Sequence, residues 1–166
     1  IGISINISTY SLEHLDFPEK LEALVNTYKI PIEYITLELT ESRLMDNLTS
    51  CLDDLLRLRL KGFRLSVDDF GTGYSSNILL NQVPFTELKI DRAFVTSVVE
   101  DSKVQTVFNS IASLASNLNK PVVAEGVETY DQLIYAKAKQ VEYIQGYYFS
   151  KPLLKNEFIE YLLKSE

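Results

Sequence analysis

Short apolar or alternating runs are separated along the whole chain by longer stretches in which apolar residues recur every three or four positions. The short runs predict strands at Ile1–Ser8, Tyr34–Leu39, Gly62–Asp68, Glu87–Ile90, Val122–Glu125 and Tyr143–Gln145. Between them, Val104, Val107, Phe108, Ile111, Leu114, Ala115 and Leu118 trace the buried face of a helix, and Leu48, Cys51, Leu52, Leu55 and Leu56 trace another. Leu21, Leu24, Val25 and Tyr28 follow Pro18, which is placed for a first helical turn. Thr129 is an N-cap ahead of a helix with Leu133, Ile134 and Ala138 on one face, and Phe158, Ile159, Leu162 and Leu163 fit a last helix.

Strand starts lie about 20 to 35 residues apart, the size of a βα unit. A helical crossover returns the chain in the same direction, so six such units predict one parallel α/β sheet. No linker, charge block or change of composition divides residues 1–166. A parallel strand is buried on both faces, so polar residues within it need a reason. Here they gather towards one end of each run: Asn6, Glu38, Asp68 with Asp69, Lys89 with Asp91, Glu125, and Gln145. In a parallel α/β fold those ends share one rim, where ligands and catalytic groups sit.

Composition narrows the chemistry of that rim. Hydrophobic residues make up 46% of the 166, with eight Phe and ten Tyr, enough for a folded core. A net charge of −7 argues against a nucleic-acid polymer as partner. A single cysteine, Cys51, and a single histidine, His14, leave no thiolate cluster or multi-histidine metal site. No apolar run approaches the roughly 20 residues of a spanning helix and no secretory signal opens the chain, so a cytoplasmic domain without membrane contact is expected. Chemistry must then rest on carboxylates, amides, lysine or hydroxyls. Several carboxylates at one rim repel unless cations join them, and hard oxygen donors suit Mg²⁺ or Mn²⁺. Adjacent aspartates able to flank a pair of ions, with a lysine beside them, point to metal-assisted hydrolysis of a phosphate ester.

Six blocks carry a specific resemblance. Ser4-Ile5-Asn6-Ile7-Ser8, Leu37-Glu38-Leu39-Thr40-Glu41-Ser42 and Asp68-Asp69-Phe70-Gly71-Thr72-Gly73-Tyr74-Ser75-Ser76 resemble the EAL domain of bacterial cyclic di-GMP signalling. So do Leu88-Lys89-Ile90-Asp91-Arg92, Ala124-Glu125-Gly126-Val127-Glu128-Thr129 and Gln145-Gly146-Tyr147-Tyr148-Phe149-Ser150-Lys151-Pro152-Leu153. The resemblance implies a TIM-type (β/α) barrel and a phosphodiesterase that hydrolyses cyclic di-GMP to the linear dinucleotide with Mg²⁺ or Mn²⁺ in a two-metal site. It implies metal ligation by Asn6, Glu38, Asp68, Asp69 and Glu125, with Asp68 bridging. Lys89 would contact the attacking water, Asp91 would sit beside that centre and Glu128 would support it. Gln145 and Arg92 would meet the nucleotide, and Glu41 would steady the loop after Asp69.

The family's Glu-Ala-Leu motif belongs on a strand preceding Asn6. The triplet Glu22-Ala23-Leu24 follows Asn6 and reads as helix. A closed barrel takes eight strands and about 250 residues. Residues 1–166 are therefore expected to form an N-terminally truncated EAL-type domain with about six of eight strands. Open sheet edges would favour a homodimer or strand-exchanged oligomer, and an upstream sensory, receiver or GGDEF domain fits the family. An alternative of another class is a non-catalytic cyclic di-GMP receptor or protein-interaction module.

Plainer readings stand beside these. Asp68-Asp69 with Gly71-Thr72-Gly73 also describes a strand end and turn, and is otherwise read as a mobile loop next to the metal site. Glu128 also suits the N-terminus of the next helix, Arg92 an ion pair with a neighbour, and Gln145 a tight turn before Gly146. Tyr147 and Tyr148 either stack on guanine or pack at the rim. His14 reads as a surface residue and Cys51 as core.

Overall fold

The computed structural model describes residues 1–12, 14–72, 80 and 82–164. Six strands lie in sequence order in one sheet, and every neighbouring pair is parallel. They are β1 (Ile3–Asn6), β2 (Ile35–Thr40), β3 (Arg64–Phe70), β4 (Glu87–Ile90), β5 (Val122–Glu125) and β6 (Tyr143–Gln145). The described helices are α1 (Thr9–Leu12), α2 (Phe17–Thr27), α3 (Glu41–Lys61), α4 (Arg92–Thr96), α5 (Ser102–Asn117), α6 (Tyr130–Ala138) and α7 (Lys155–Lys164). The sheet curls into a half-barrel with helices outside it, so the expected α/β architecture of TIM type holds. No described helix is long and apolar enough to cross a membrane.

Register makes the sheet two-faced. Residues paired across a parallel ladder point to the same side. One row links Asn6, Glu38, Ser66 and Glu87, and the flanking rows link Thr36 to Arg64, Thr40 to Asp68, Lys89 to Val123 and Tyr143, and Glu125 to Gln145. The opposite face carries Leu37, Leu39, Leu65, Val67, Leu88, Ile90, Val122 and Ala124, all buried against helices with Leu44, Leu55, Leu58, Phe108 and Ala115. Each large side chain buried there contributes about 1.5–3 kcal/mol. The fold is thus held by its convex side, and its concave side is free for polar chemistry.

Boundaries differ from expectation where the backbone turns. Gly62 closes α3 in the left-handed region (φ +103°), so β3 starts at Arg64 and runs on to Phe70 rather than ending at Asp68. β1 covers only Ile3–Asn6 of the expected Ile1–Ser8 because Ser8 already accepts a bond from the Ser11 N–H at the start of α1. In α6 the buried side chains are Gln132, Leu133 and Ala136, while Ile134 is exposed. Glu22-Ala23-Leu24 lies inside α2, where Glu22 pairs with Lys61 of α3 at 2.6 Å. Thr129 does cap α6: its hydroxyl accepts from the Gln132 N–H, and the Gln132 side chain accepts from the Thr129 N–H in return.

The turn after β6 is fitted to the loop after β5. Val127 N–H donates to the Gln145 carbonyl at 3.1 Å, and Tyr148 N–H donates to the Val127 carbonyl at 2.9 Å. A Cβ on Gly146 would lie 2.0 Å from the Val127 carbonyl oxygen and 2.4 Å from its nitrogen. Gly146→Ala should therefore cost about 3 kcal/mol, since rigid backbone must move to admit the methyl. A urea-unfolding midpoint within error of the parent would contradict this.

Candidate metal and phosphate site

Four strands deliver charged side chains to one point on the concave face. Glu38 and Lys89 sit at inward positions of β2 and β4, with Lys89 only 3% exposed. Asp68 and Asp69 lie at the end of β3, and Glu125 closes β5. Lys89 Nζ contacts Glu38 Oε1 at 2.9 Å, Asp68 Oδ1 at 3.2 Å and Glu125 Oε1 at 2.5 Å. Alternation along β4 places Leu88 and Ile90 in the core and sends Lys89 inward. One ammonium with three N–H donors thus serves three carboxylates.

The acids are nonetheless under-compensated. Asp68, Asp69 and Glu125 each offer an oxygen within 4.8 Å of the others. Burial, a hydrogen bond with Asp91 and the charge of Asp68 push the Asp69 carboxyl up to about 6. Burial, together with Asp68, pushes Glu125 up to about 7 despite the opposing pull of Lys89. Burial alone would discharge Lys89, but hydrogen bonds from its ammonium to Glu125 and Glu38 raise it above the ordinary lysine value. Converging, mutually repelling oxygen donors are what a hard divalent cation takes, so the residues fit such an ion.

A left-handed turn at the end of β3 sets the two aspartates. Asp69 adopts φ +54°, a left-handed conformation that aspartate tolerates better than most residues, beside a register shift between Val67 and Phe70. Its N–H donates to Asp68 Oδ1 at 3.0 Å, and its carbonyl accepts from the Thr72 hydroxyl at 2.9 Å. Glu41, buried at the start of α3, accepts from the Gly71 N–H at 2.9 Å and so ties this turn to β2. Gly71 has φ +98°, and a Cβ there would lie 2.7 Å from Ile111 Cδ1. The Gly73–Ser76 part of the motif read as a mobile loop lies outside the described residues.

The remaining candidates occupy the rim around this centre. Asn6 is exposed and stands beside Glu38 in register. Asp91 caps α4 by accepting from the Ala93 N–H at 2.7 Å, while its carboxyl meets Asp69. Gln145 is exposed at the end of β6. Glu128 is not brought into the acidic group: it points along the surface and pairs with Arg92 at 2.8 Å. Tyr147 and Tyr148 are exposed, and Lys151 Nζ lies 5.9 Å from the Tyr147 ring centroid. His14 is exposed beside Tyr10, and Cys51 is buried.

Three polar residues of the concave face were not singled out from sequence. Arg64 and Glu87 form an ion pair at 3.0 Å below Lys89, and Ser66 is buried between Glu38 and Glu87. Arg64 and Glu87, together with Thr36, Glu38, Lys89 and Gln145, line a concavity of about 470 Å³. The signal was present, since Arg64, Ser66 and Asp68 alternate with Leu65 and Val67. Gln132 was also passed over; its side-chain oxygen accepts from the Glu128 and Thr129 N–H groups, and its amide donates to the Thr96 carbonyl.

Comparison with known proteins agrees with this geometry. A family model described as EAL domain matches residues 1–152. The cyclic di-GMP phosphodiesterase PA2567 of Pseudomonas aeruginosa is 36% identical over 162 residues, which cover 98% of this chain and 28% of that protein. The crystal structure of the EAL domain of Mycobacterium smegmatis DcpA superposes with a TM-score of 0.92 at 32% identity, covering 99% of this chain and 74% of that one. Klebsiella pneumoniae BlrP1, in a manganese and cyclic di-GMP complex, gives a TM-score of 0.86 at 28% identity over 91% of this chain and 39% of that one. The chain spans well under half the length of the curated relatives it matches.

Proposed function

Because the chain belongs to the EAL domain family, we propose that it carries the metal-binding rim of a cyclic di-GMP phosphodiesterase. The observation behind this is the group of Glu38, Asp68 and Glu125 gathered on Lys89 with Asp69 alongside, at the strand ends of a half-barrel. Bound Mg²⁺ or Mn²⁺ would lower the pKa of a ligated water and neutralise charge on the phosphate. Asn6 and Glu38 would hold one ion, Asp69 and Glu125 a second, and Asp68 would join both. Lys89 would turn one N–H from its carboxylate partners to the attacking water and fix its direction. Asp91 would keep Asp69 in place. The water would give up a proton to the surrounding carboxylates as its oxygen bonds to phosphorus, one ester P–O bond would break, and the leaving ribose oxygen would take up a proton from solvent to give the linear dinucleotide. Gln145 would meet the nucleotide from β6. The same reading places the domain in the cytoplasm, with a second copy of the chain as its partner in a dimer.

Chromatographic detection of linear dinucleotide from cyclic di-GMP with Mn²⁺ or Mg²⁺, using the natural protein that carries this chain, tests the proposal. Binding without turnover would replace the hydrolase by a receptor, and neither would remove both.

A second check uses protons. Asp69 at about 6 and Glu125 at about 7 both lie above their unfolded values near 4. The native state then holds protons that the unfolded chain releases, so this share of stability is full below pH ~4 and is lost as pH rises through 6 and 7. A divalent cation reverses the loss by replacing those protons. Mn²⁺ at about 100 times its Kd should stabilise by about 2.7 kcal/mol, which raises Tm by roughly 5–10 °C. The rise should be large at pH 8 and small at pH 5. An equal rise at both would contradict the acidic site.

A further inference from the structure

Resting on the metal-binding reading of this rim, in which Asp69 and Glu125 hold one ion between them, we propose that Gln132 is a positioning residue. By tying the loop after β5 to α4, it sets Glu125 against the Asp69–Asp91 pair. The two carboxylate ligands arrive on different supports. Asp69 is hydrogen-bonded to Asp91, and Asp91 caps α4, so that half of the site is held through α4. Glu125 belongs to the other half. The β4–β5 ladder is in register up to Ile90 and Ala124, whereas the β5–β6 ladder runs one residue on, to Glu125 and Gln145. Past that pair, the Val127 N–H still donates to the Gln145 carbonyl and the Val127 carbonyl accepts from Tyr148. Glu125 and the loop after it therefore lean on β6, and a tie across to α4 is needed to fix their distance from Asp69.

Gln132, only 6% exposed, supplies that tie. Its side-chain oxygen accepts from the Glu128 N–H at 2.8 Å and the Thr129 N–H at 3.0 Å, and its amide donates to the carbonyl of Thr96, the last residue of α4, at 3.1 Å. Two backbone donors on one atom identify that atom as the oxygen, which leaves the NH₂ group facing Thr96. Capping α6 uses only the exchange with Thr129. The bonds to Glu128 and Thr96 exceed what a cap needs. A glutamate would cap as well, but when ionised it has no donor for Thr96. Arg92 crosses the same gap at the surface. Its stem fills the slot left by Gly126 (φ +71°), where a Cβ would meet Arg92 Cγ at 2.4 Å, and its head pairs with Glu128. Those two side chains are 61% and 41% exposed, so water competes for that pair, whereas it does not reach the bonds of Gln132.

The experiment is a Mn²⁺ titration of the natural protein that carries this chain, with bound ion read by equilibrium dialysis. Thermal melting of the metal-free protein and hydrolysis of cyclic di-GMP are followed alongside. Gln132→Glu keeps an oxygen for the Glu128 and Thr129 N–H groups and turns another to the Thr96 carbonyl, so it cuts the tie and spares the cap. It should raise the Kd for Mn²⁺ about tenfold, as expected when a group that orients a metal ligand is lost. Gln132→Met, which loses the cap as well, should raise the Kd at least as far and also lower Tm. Thr129→Ala removes the capping hydroxyl but leaves Gln132 its bonds to Glu128 and Thr96. It should lower Tm while holding the Kd within about twofold of the parent. A Gln132→Glu protein with the parental Kd, or a Thr129→Ala shift equal to that of Gln132→Glu, would overturn the assignment. Where Gln132→Met is too unstable to purify, Gln132→Glu decides. If the parent binds Mn²⁺ without turning over cyclic di-GMP, the hydrolase reading falls alone and the Kd values still decide. If the parent binds no Mn²⁺, the metal site and the role of Gln132 fall together.

Discussion

Lys89→Met is expected to destabilise the metal-free protein by about 3–5 kcal/mol, the cost of leaving buried charges without their partner. Methionine matches the lysine stem in length and has no charge, so packing changes little and the loss reports the ammonium. Glu38, Asp68 and Glu125 lose their shared counter-charge at once, in a place where Lys89 and its partners have side chains 4–15% exposed. Water at so little-exposed a cluster does not compensate three carboxylates as the ammonium does. A divalent cation can, because it draws on the same oxygens. Saturating Mn²⁺ should therefore recover much of the urea midpoint of Lys89→Met while leaving turnover about 10²–10³-fold below the parent, since the lysine proposed to direct the water is still missing. A stability loss under 1 kcal/mol, or one indifferent to Mn²⁺, would show that Lys89 does not hold the group together.

Asp68→Asn should separate function from stability in the opposite direction. Turnover should fall about 10³-fold, as expected when a carboxylate shared between two ions is lost. Stability of the metal-free protein should hold or rise. The charge of Asp68 is among the causes that push both Asp69 and Glu125 upward, so its removal relaxes both towards ordinary carboxylate values. Asparagine keeps the shape and an oxygen for the Asp69 N–H, which now bonds Asp68 Oδ1. Thermal melting and chromatographic assay of the same preparation read the two effects together. A folded Asp68→Asn protein with parental turnover would reject the bridging role.

Much of the architecture was legible because each strand run is short, apolar on alternate residues and followed by a helix-period stretch. The strands at Glu87–Ile90, Val122–Glu125 and Tyr143–Gln145 are found at those bounds. Elsewhere the bounds move where a backbone device intervenes, as at Gly62, whose left-handed turn delays β3. The gathering of Glu38, Asp68, Lys89 and Glu125 was readable because one alternation rule sends all four inward. Arg64, Ser66 and Glu87 follow the same rule but stand at the start or middle of β3 and β4, so the gathering of polar residues at strand ends does not mark them. The pairing of Arg92 with Glu128 joins residues 36 apart through a glycine slot. No local pattern announces such a contact, since it depends on how the loops after β4 and β5 meet.

The two-faced sheet also has a consequence for how such a domain can change over generations. Its cohesion resides in the convex face, where Leu37, Leu65, Leu88 and Phe108 pack, and its charged residues gather on the concave one. Drift in the concave residues can alter the chemistry of that face while the scaffold persists and keeps its hollow. An enzyme built this way has a short route to becoming a sensor: lose a carboxylate, keep the grip, and turnover gives way to occupancy as the signal.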